Sequence, residues 1–150
     1  MQHYEGMPLA LPLGPYGLLL PVHGAFMSLG FLLSLAGIAF PRYLKRRKWW
    51  MKAHLWVAGL GAALGVAGAG AAVQMVATSG RVHLRTPHAI SGGLTVALSL
   101  AAPVLGRVMF EAHGKLGGYR TVHRWVGRAA ILAMAGTIVL GLLQAGWLKF

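Results

Sequence analysis

The chain has 150 residues, of which 57% are hydrophobic and 11% charged, against roughly 45–50% and about 25% in soluble domains, so an ordinary soluble globule is excluded. Fourteen Lys and Arg stand against only Glu5 and Glu111, for a formal charge of +12; a mean hydropathy of +0.63 excludes nucleic acid as the reason for that charge. Cysteine is absent, which excludes disulfides, thiolate metal sites, iron–sulfur clusters and covalently attached c-type haem, and leaves seven histidines as the strong ligands for a soft metal.

Residues 1–15 hold three prolines and no Lys or Arg, so they lack the basic start of a signal peptide; the first apolar run is expected to be an uncleaved anchor. Uncharged runs then follow over 16–40, 53–77, 88–106 and 129–148. Each is long enough, as a helix, to cross a hydrocarbon core of about 30 Å. Backbone polar groups cannot stay unpaired in lipid. The expectation is an all-α membrane protein: one domain over 1–150, a four-transmembrane-helix antiparallel bundle with helices near 16–40, 53–77, 88–109 and 121–148. The second run reads GLGAALGVAGAGAA from Gly59, with Gly61 and Gly65 in GxxxG spacing. Such residues let helix backbones approach closely, or leave room for something flat. Pro103 falls late in the third helix.

The basic residues sort by connection. Arg42, Lys45, Arg46, Arg47, Lys48 and Lys52 follow the first run, and Arg107, Lys115, Arg120, Arg124 and Arg128 follow the third. Only Arg81 and Arg85 lie between the second and third. The positive-inside rule assigns the richer face to the cytoplasm and both termini to the outer side. Trp49, Trp50, Trp56 and Trp125 would mark the inner boundary and Trp147 the outer one. The run at 45–48 serves topology and anionic lipid, or docks an acidic partner or anionic substrate. A short chain without transit features fits a bacterial inner membrane.

His3 lies in the N-terminal tail, and His83 and His113 in connections. His23, His54, His88 and His123 fall one per helix, each toward its helix's N-terminal end. Successive helices run in opposite directions, so His23 and His88 belong to the outer side and His54 and His123 to the inner side. In a four-helix ring each pair is diagonal and faces across the axis, where bundles build cofactor sites. A single histidine near a helix end is usually interfacial or hydrogen-bonded. Four, one per helix in two layers, suit two six-coordinate b-type haems, each held by two imidazoles in an apolar surround. Helical rise puts the layers roughly 18 Å apart. Ala58 and Gly61, Gly92, and Gly127 share the faces of His54, His88 and His123 and would let a flat ring lie against the helix. Met27 is an alternative ligand or core packing. Lys52, Arg120 and Arg124 beside the inner pair, and Arg81 and Arg85 outside, are candidate partners for haem propionates or for lipid phosphate.

PVHGAFM (21–27), WWMKAHLWVAG (49–59), TPHAISGG (86–93) and YRTVHRWVGR (119–128) together resemble the histidine segments of the cytochrome b561 and ferric-reductase transmembrane family. The likeness spans about 20–147. It implies a transmembrane electron carrier with two non-covalent b haems, the outer on His23 and His88 and the inner on His54 and His123. Familiar members take electrons from ascorbate and reduce monodehydroascorbate or ferric iron. Those with stand-alone activity have six helices; only the core four are visible here, so a subunit leaning on a soluble or membrane redox partner is expected, with an ascorbate-like or quinol donor.

Two other functions remain open. One is a quinone-reactive haem b anchor for a dehydrogenase or reductase, the other a haem-free structural membrane subunit. Asp is absent and both Glu lie outside the uncharged runs, so carboxylate-based hydrolysis has almost no material.

Overall fold

The computed structural model describes residues 15–111 and 116–148. His3, His113, Lys115 and Lys149, together with the rest of the N-terminal tail, lie outside the described residues. Four helices follow in order: α1 (Pro15–Tyr43), α2 (Trp50–Thr78), α3 (Pro87–Glu111) and α4 (Leu116–Gln144). Among the described residues there is no strand. Each helix carries a stretch long and apolar enough to cross a membrane, so this is an all-α, integral membrane bundle in contact with lipid.

The helices overrun most of the boundaries expected from charge. A 29-residue helix is about 44 Å long, beyond the hydrocarbon core and into the headgroup region. Charged residues end the apolar stretch without ending the helix. α4 departs at both ends. It begins at Leu116, before the expected 121, and stops at Gln144, short of 148. Gly146 adopts a left-handed φ of 74°, and the N–H groups of Gly146 and Trp147 return to the Leu143 and Leu142 carbonyls. That is a Schellman stop, and Gly80 (φ 65°) closes α2 in the same way. At the start of α3, the Thr86 hydroxyl accepts the Ala89 N–H at 3.2 Å, with Pro87 at the first helical position.

The bundle is two hairpins. α1 packs closely along α2, and α3 along α4, while the α2–α3 and α1–α4 seams are far lighter. No close backbone approach joins α1 to α3 or α2 to α4 among the described residues. The α1–α2 contact is made by glycine. A Cβ on Gly30 would stand 3.0 Å from the Gly61 carbonyl, and one on Gly37 would stand 2.7 Å from the Ala58 Cβ.

Among the described residues little else is buried. The apolar core is Met75, Ala130 and Met134, and beside it lie three hydroxyl side chains, Thr95, Ser99 and Thr137. The Thr95 and Thr137 hydroxyls hydrogen-bond at 2.9 Å across α3 and α4, and Ser99 donates to the Thr95 carbonyl at 2.7 Å. The large apolar side chains point outward instead, Trp56 and Trp147 each at 79% exposure, as expected where lipid is the solvent.

Candidate functional site

Four helices leave an axial gap because their diagonals do not touch, and the histidines project toward it in two layers. The His23 and His88 rings have centroids 6.1 Å apart with planes at 83°. The His54 and His123 rings are 6.2 Å apart with planes at 88°. The structure therefore brings together the same two diagonal pairs that helix direction predicts. The second pair lies toward the side carrying the α1–α2 and α3–α4 connections, hereafter the basic side.

Every one of these imidazoles is tied to a backbone carbonyl of its hairpin partner. His23 Nδ1 lies 2.8 Å from the Gly68 oxygen and His54 Nδ1 2.7 Å from the Gly37 oxygen. His88 Nδ1 lies 3.0 Å from the Thr137 oxygen and His123 Nδ1 2.9 Å from the Ala102 oxygen. A carbonyl only accepts, so each Nδ1 carries a proton in that bond, and in a neutral imidazole so held the lone pair is on Nε2. One rule covers all four helices. The residue fourteen positions after the histidine supplies the carbonyl for the partner's histidine, as in His23 and Gly37, His54 and Gly68, His88 and Ala102, His123 and Thr137. Fourteen residues are about 21 Å of helix, a little more than the spacing expected from the uncharged runs.

Glycine clears space for the rings. A Cβ at Gly141 would stand 2.9 Å from His88 Cε1, and one at Gly106 would stand 3.3 Å from His123 Cε1. Each of these glycines lies four residues beyond an accepting carbonyl, where a helical carbonyl points.

A cavity of about 450 Å³ opens beside the basic-side pair, with walls from all four helices. Ala58 and Gly127 line it, as their helical spacing from the histidines suggests. Gly61 does not. It faces α1, where an added Cβ would strike Ser34 at 2.6 Å. Gly92 is turned toward Thr137 of α4, whose methyl lies 3.8 Å from its Cβ position.

The cationic residues divide. Lys52, Arg120 and Arg124 are exposed and are not among the cavity walls. Arg107, counted with the third connection on sequence, instead sits inside α3 and lines the cavity. Its Nε donates to Glu111 Oε1 at 2.6 Å. The residues at 107 and 111 are one helical turn apart, a spacing visible in the sequence once the helix is extended past the charge. On the other side, Arg81 and Arg85 border a shallow pocket of about 340 Å³ in the α2–α3 connection, and the Arg81 guanidinium lies 5.3 Å from the Tyr16 ring centre. His83 is exposed in the same connection. Met27 packs against Gly68, with Sδ 2.9 Å from the Cβ position there.

The pairs fit a haem iron by simple geometry. A five-membered ring with edges of about 1.33 Å has a centre-to-corner distance of about 1.1 Å. Two such distances and two metal–imidazole bonds of about 2.0 Å give centroids roughly 6.3 Å apart. The observed 6.1 and 6.2 Å match that figure. Among the described residues no group of three or more His, Cys, Asp or Glu converges on one point, so each layer brings two imidazoles together and not a protein-built cage.

A family model described as eukaryotic cytochrome b561 matches residues 22–149. No curated protein and no solved structure matches the chain.

Proposed function

The chain belongs to the cytochrome b561 family, and from that premise we propose that it carries electrons across a membrane through two b-type haems, one on His23 and His88 and one on His54 and His123. Family membership implies haem-based transmembrane electron transfer; the number of haems and the four ligands are our reading. The observation that carries it is the pair of ring separations, each the length of an imidazole–iron–imidazole stack.

A bound haem supplies a one-electron ferric–ferrous couple. The protein's part is to hold and tune it. Each Nδ1–H···O=C bond fixes the tautomer, orients the ring and raises the basicity of Nε2. Ile38, Leu55, Ala62 and Ile131 give the basic-side cavity largely apolar walls, and an apolar surround weights the iron charge more heavily in setting the potential. Arg107 at the cavity wall, with Lys52, Arg120 and Arg124 farther out, supplies positive charge for propionates on that side. Arg81 and Arg85 do so opposite. Between the layers the buried Thr95, Thr137 and Ser99 hydroxyls are internally paired and take up no charge.

Orientation follows from charge. The connections bearing Arg42 to Lys52 and Arg107 to Arg128 face the cytoplasm and both termini face outward. We retain the bacterial inner membrane as the address proposed from the sequence, although the matched family is described as eukaryotic. The electron donor is a small reductant of the ascorbate or quinol type, and a soluble or membrane redox partner completes the path.

The test is haem per polypeptide in purified protein, read with reduced-minus-oxidised spectra, for the unaltered chain and for His54→Ala or His123→Ala. Two low-spin b haems in the unaltered chain, and the loss of one in each variant, are expected. Folded protein without haem overturns the reading. Loss of both centres, or of neither, overturns the pairing.

A further inference from the structure

The four histidine–carbonyl bonds are not equivalent. In an α-helix the carbonyl of residue i accepts the N–H of residue i+4. Four positions beyond Gly37, Gly68, Ala102 and Thr137 stand Pro41, Ala72, Gly106 and Gly141. Three of these carry an N–H, so the histidine shares its carbonyl with the helix. Proline has none. Pro41 lies within α1, and the Gly37 carbonyl lacks the usual helical donor. Its bond to His54 is the shortest of the four, at 2.7 Å against 2.8, 2.9 and 3.0 Å.

We propose that Pro41 is a positioning residue for the basic-side centre: by withholding its backbone N–H it reserves the Gly37 carbonyl for His54, and so lowers the reduction potential of the haem held by His54 and His123. The inference rests on the reading of those two histidines as axial ligands. A carbonyl with no competing donor is a stronger acceptor. It draws the Nδ1 proton harder and gives the imidazole more anionic character, which favours ferric over ferrous iron. Pro41 touches neither iron nor porphyrin in this scheme and acts only through Gly37 and His54. Pro21, also inside α1, precedes no such arrangement, since the carbonyl it frees is that of Gly17 and no histidine bonds it.

The experiment is a potentiometric titration of the full-length, haem-loaded protein, with the two centres separated by electron paramagnetic resonance and assigned by the centre lost in His123→Ala. Pro41→Ala restores an N–H and is expected to raise the basic-side potential, shift that centre's signal and leave the other unmoved. Lactic acid at position 41, the ester counterpart of alanine, removes the ring but supplies no N–H, and is expected to keep the unaltered potential. If the alanine and ester variants move together, the ring and not the missing N–H is responsible, and the proposal falls. It also falls if Pro41→Ala leaves the potential in place or lowers it while both haems remain bound. Failure of the unaltered chain to bind haem would instead overturn the axial-ligand reading on which it depends.

Discussion

Gly141→Ala is the sharpest single test of the geometry at the His88 centre. The added Cβ would lie 2.9 Å from His88 Cε1, 3.1 Å from Nδ1 and 3.6 Å from Nε2. Carbon atoms in ordinary contact sit about 3.5–4.0 Å apart, so the ring must retreat by roughly 0.6–1 Å. The 3.0 Å bond from Nδ1 to the Thr137 oxygen does not survive that movement. Losing it costs about 0.5–1.5 kcal/mol, and crowding a packed interior costs about 1–3 kcal/mol more. Together these amount to about 2–4 kcal/mol, or roughly 30- to 700-fold in haem affinity at that centre. Gly106→Ala is the graded companion. Its Cβ would meet His123 at 3.3 and 3.6 Å, which asks for a few tenths of an ångström and less than about tenfold in affinity. Gly136→Ala meets nothing within 4 Å and is the neutral control. The assay is haem titration of the three purified variants, followed by difference spectra that count the centres filled. Full occupancy of both centres in Gly141→Ala at unaltered affinity, or loss of the His54–His123 centre in its place, would refute the reasoning.

Gly37→Ala drives a Cβ to within 2.7 Å of the Ala58 Cβ and 3.0 Å of its backbone; stability in thermal unfolding should drop by about 1–3 kcal/mol, whereas Gly59→Ala, whose Cβ meets nothing within 4 Å, should not lower it. Thr95→Val removes one half of the buried Thr95–Thr137 pair, and a loss of about 1–3 kcal/mol in denaturant unfolding with both haems retained is expected. Glu111→Gln breaks a pair whose side chains are 78% and 61% exposed, so its effect on unfolding should stay below about 1 kcal/mol. With both pairs ligating as proposed, ring planes at 83° and 88° would leave the two iron orbitals that mix with the imidazoles nearly equal in energy; each ferric centre should then give a strongly anisotropic low-spin resonance signal, and an ordinary rhombic signal would mean that the rings turn on binding.

What could be read in advance was what charge and helix direction control. Four uncharged runs give four spans because lipid offers no partner to a bare backbone. The diagonal pairing of His23 with His88 and of His54 with His123 needs only the alternation of helix polarity. Helix ends were less legible, since charge marks where hydrocarbon stops while Gly146 and Gly80 mark where α4 and α2 stop. The role of Arg107 was hidden by the same confusion of apolar limit with helix limit. Gly61 suits both close helix packing and a cofactor face on spacing alone, and the structure turns it to α1; spacing on one helix assigns a face but not which neighbour covers it. The carbonyls that hold the imidazoles left no trace in residue type, because Gly37, Gly68, Ala102 and Thr137 contribute backbone atoms alone. Only their common distance from a histidine was there to be noticed.

The hydrogen bonds and the ring pairs divide the molecule along different lines. Each imidazole is tethered inside its own hairpin, His23 and His54 within α1–α2 and His88 and His123 within α3–α4. Each ring pair takes one member from either hairpin, across seams where the helices touch only lightly. On the proposed ligation each hairpin would set its own histidines, and an iron held from both sides would be a rivet between the two. Haem loading and closure of the bundle would then be coupled: cofactor binding would add its free energy to the cohesion of the halves, and a chain split in the α2–α3 connection should reassemble only when haem is supplied.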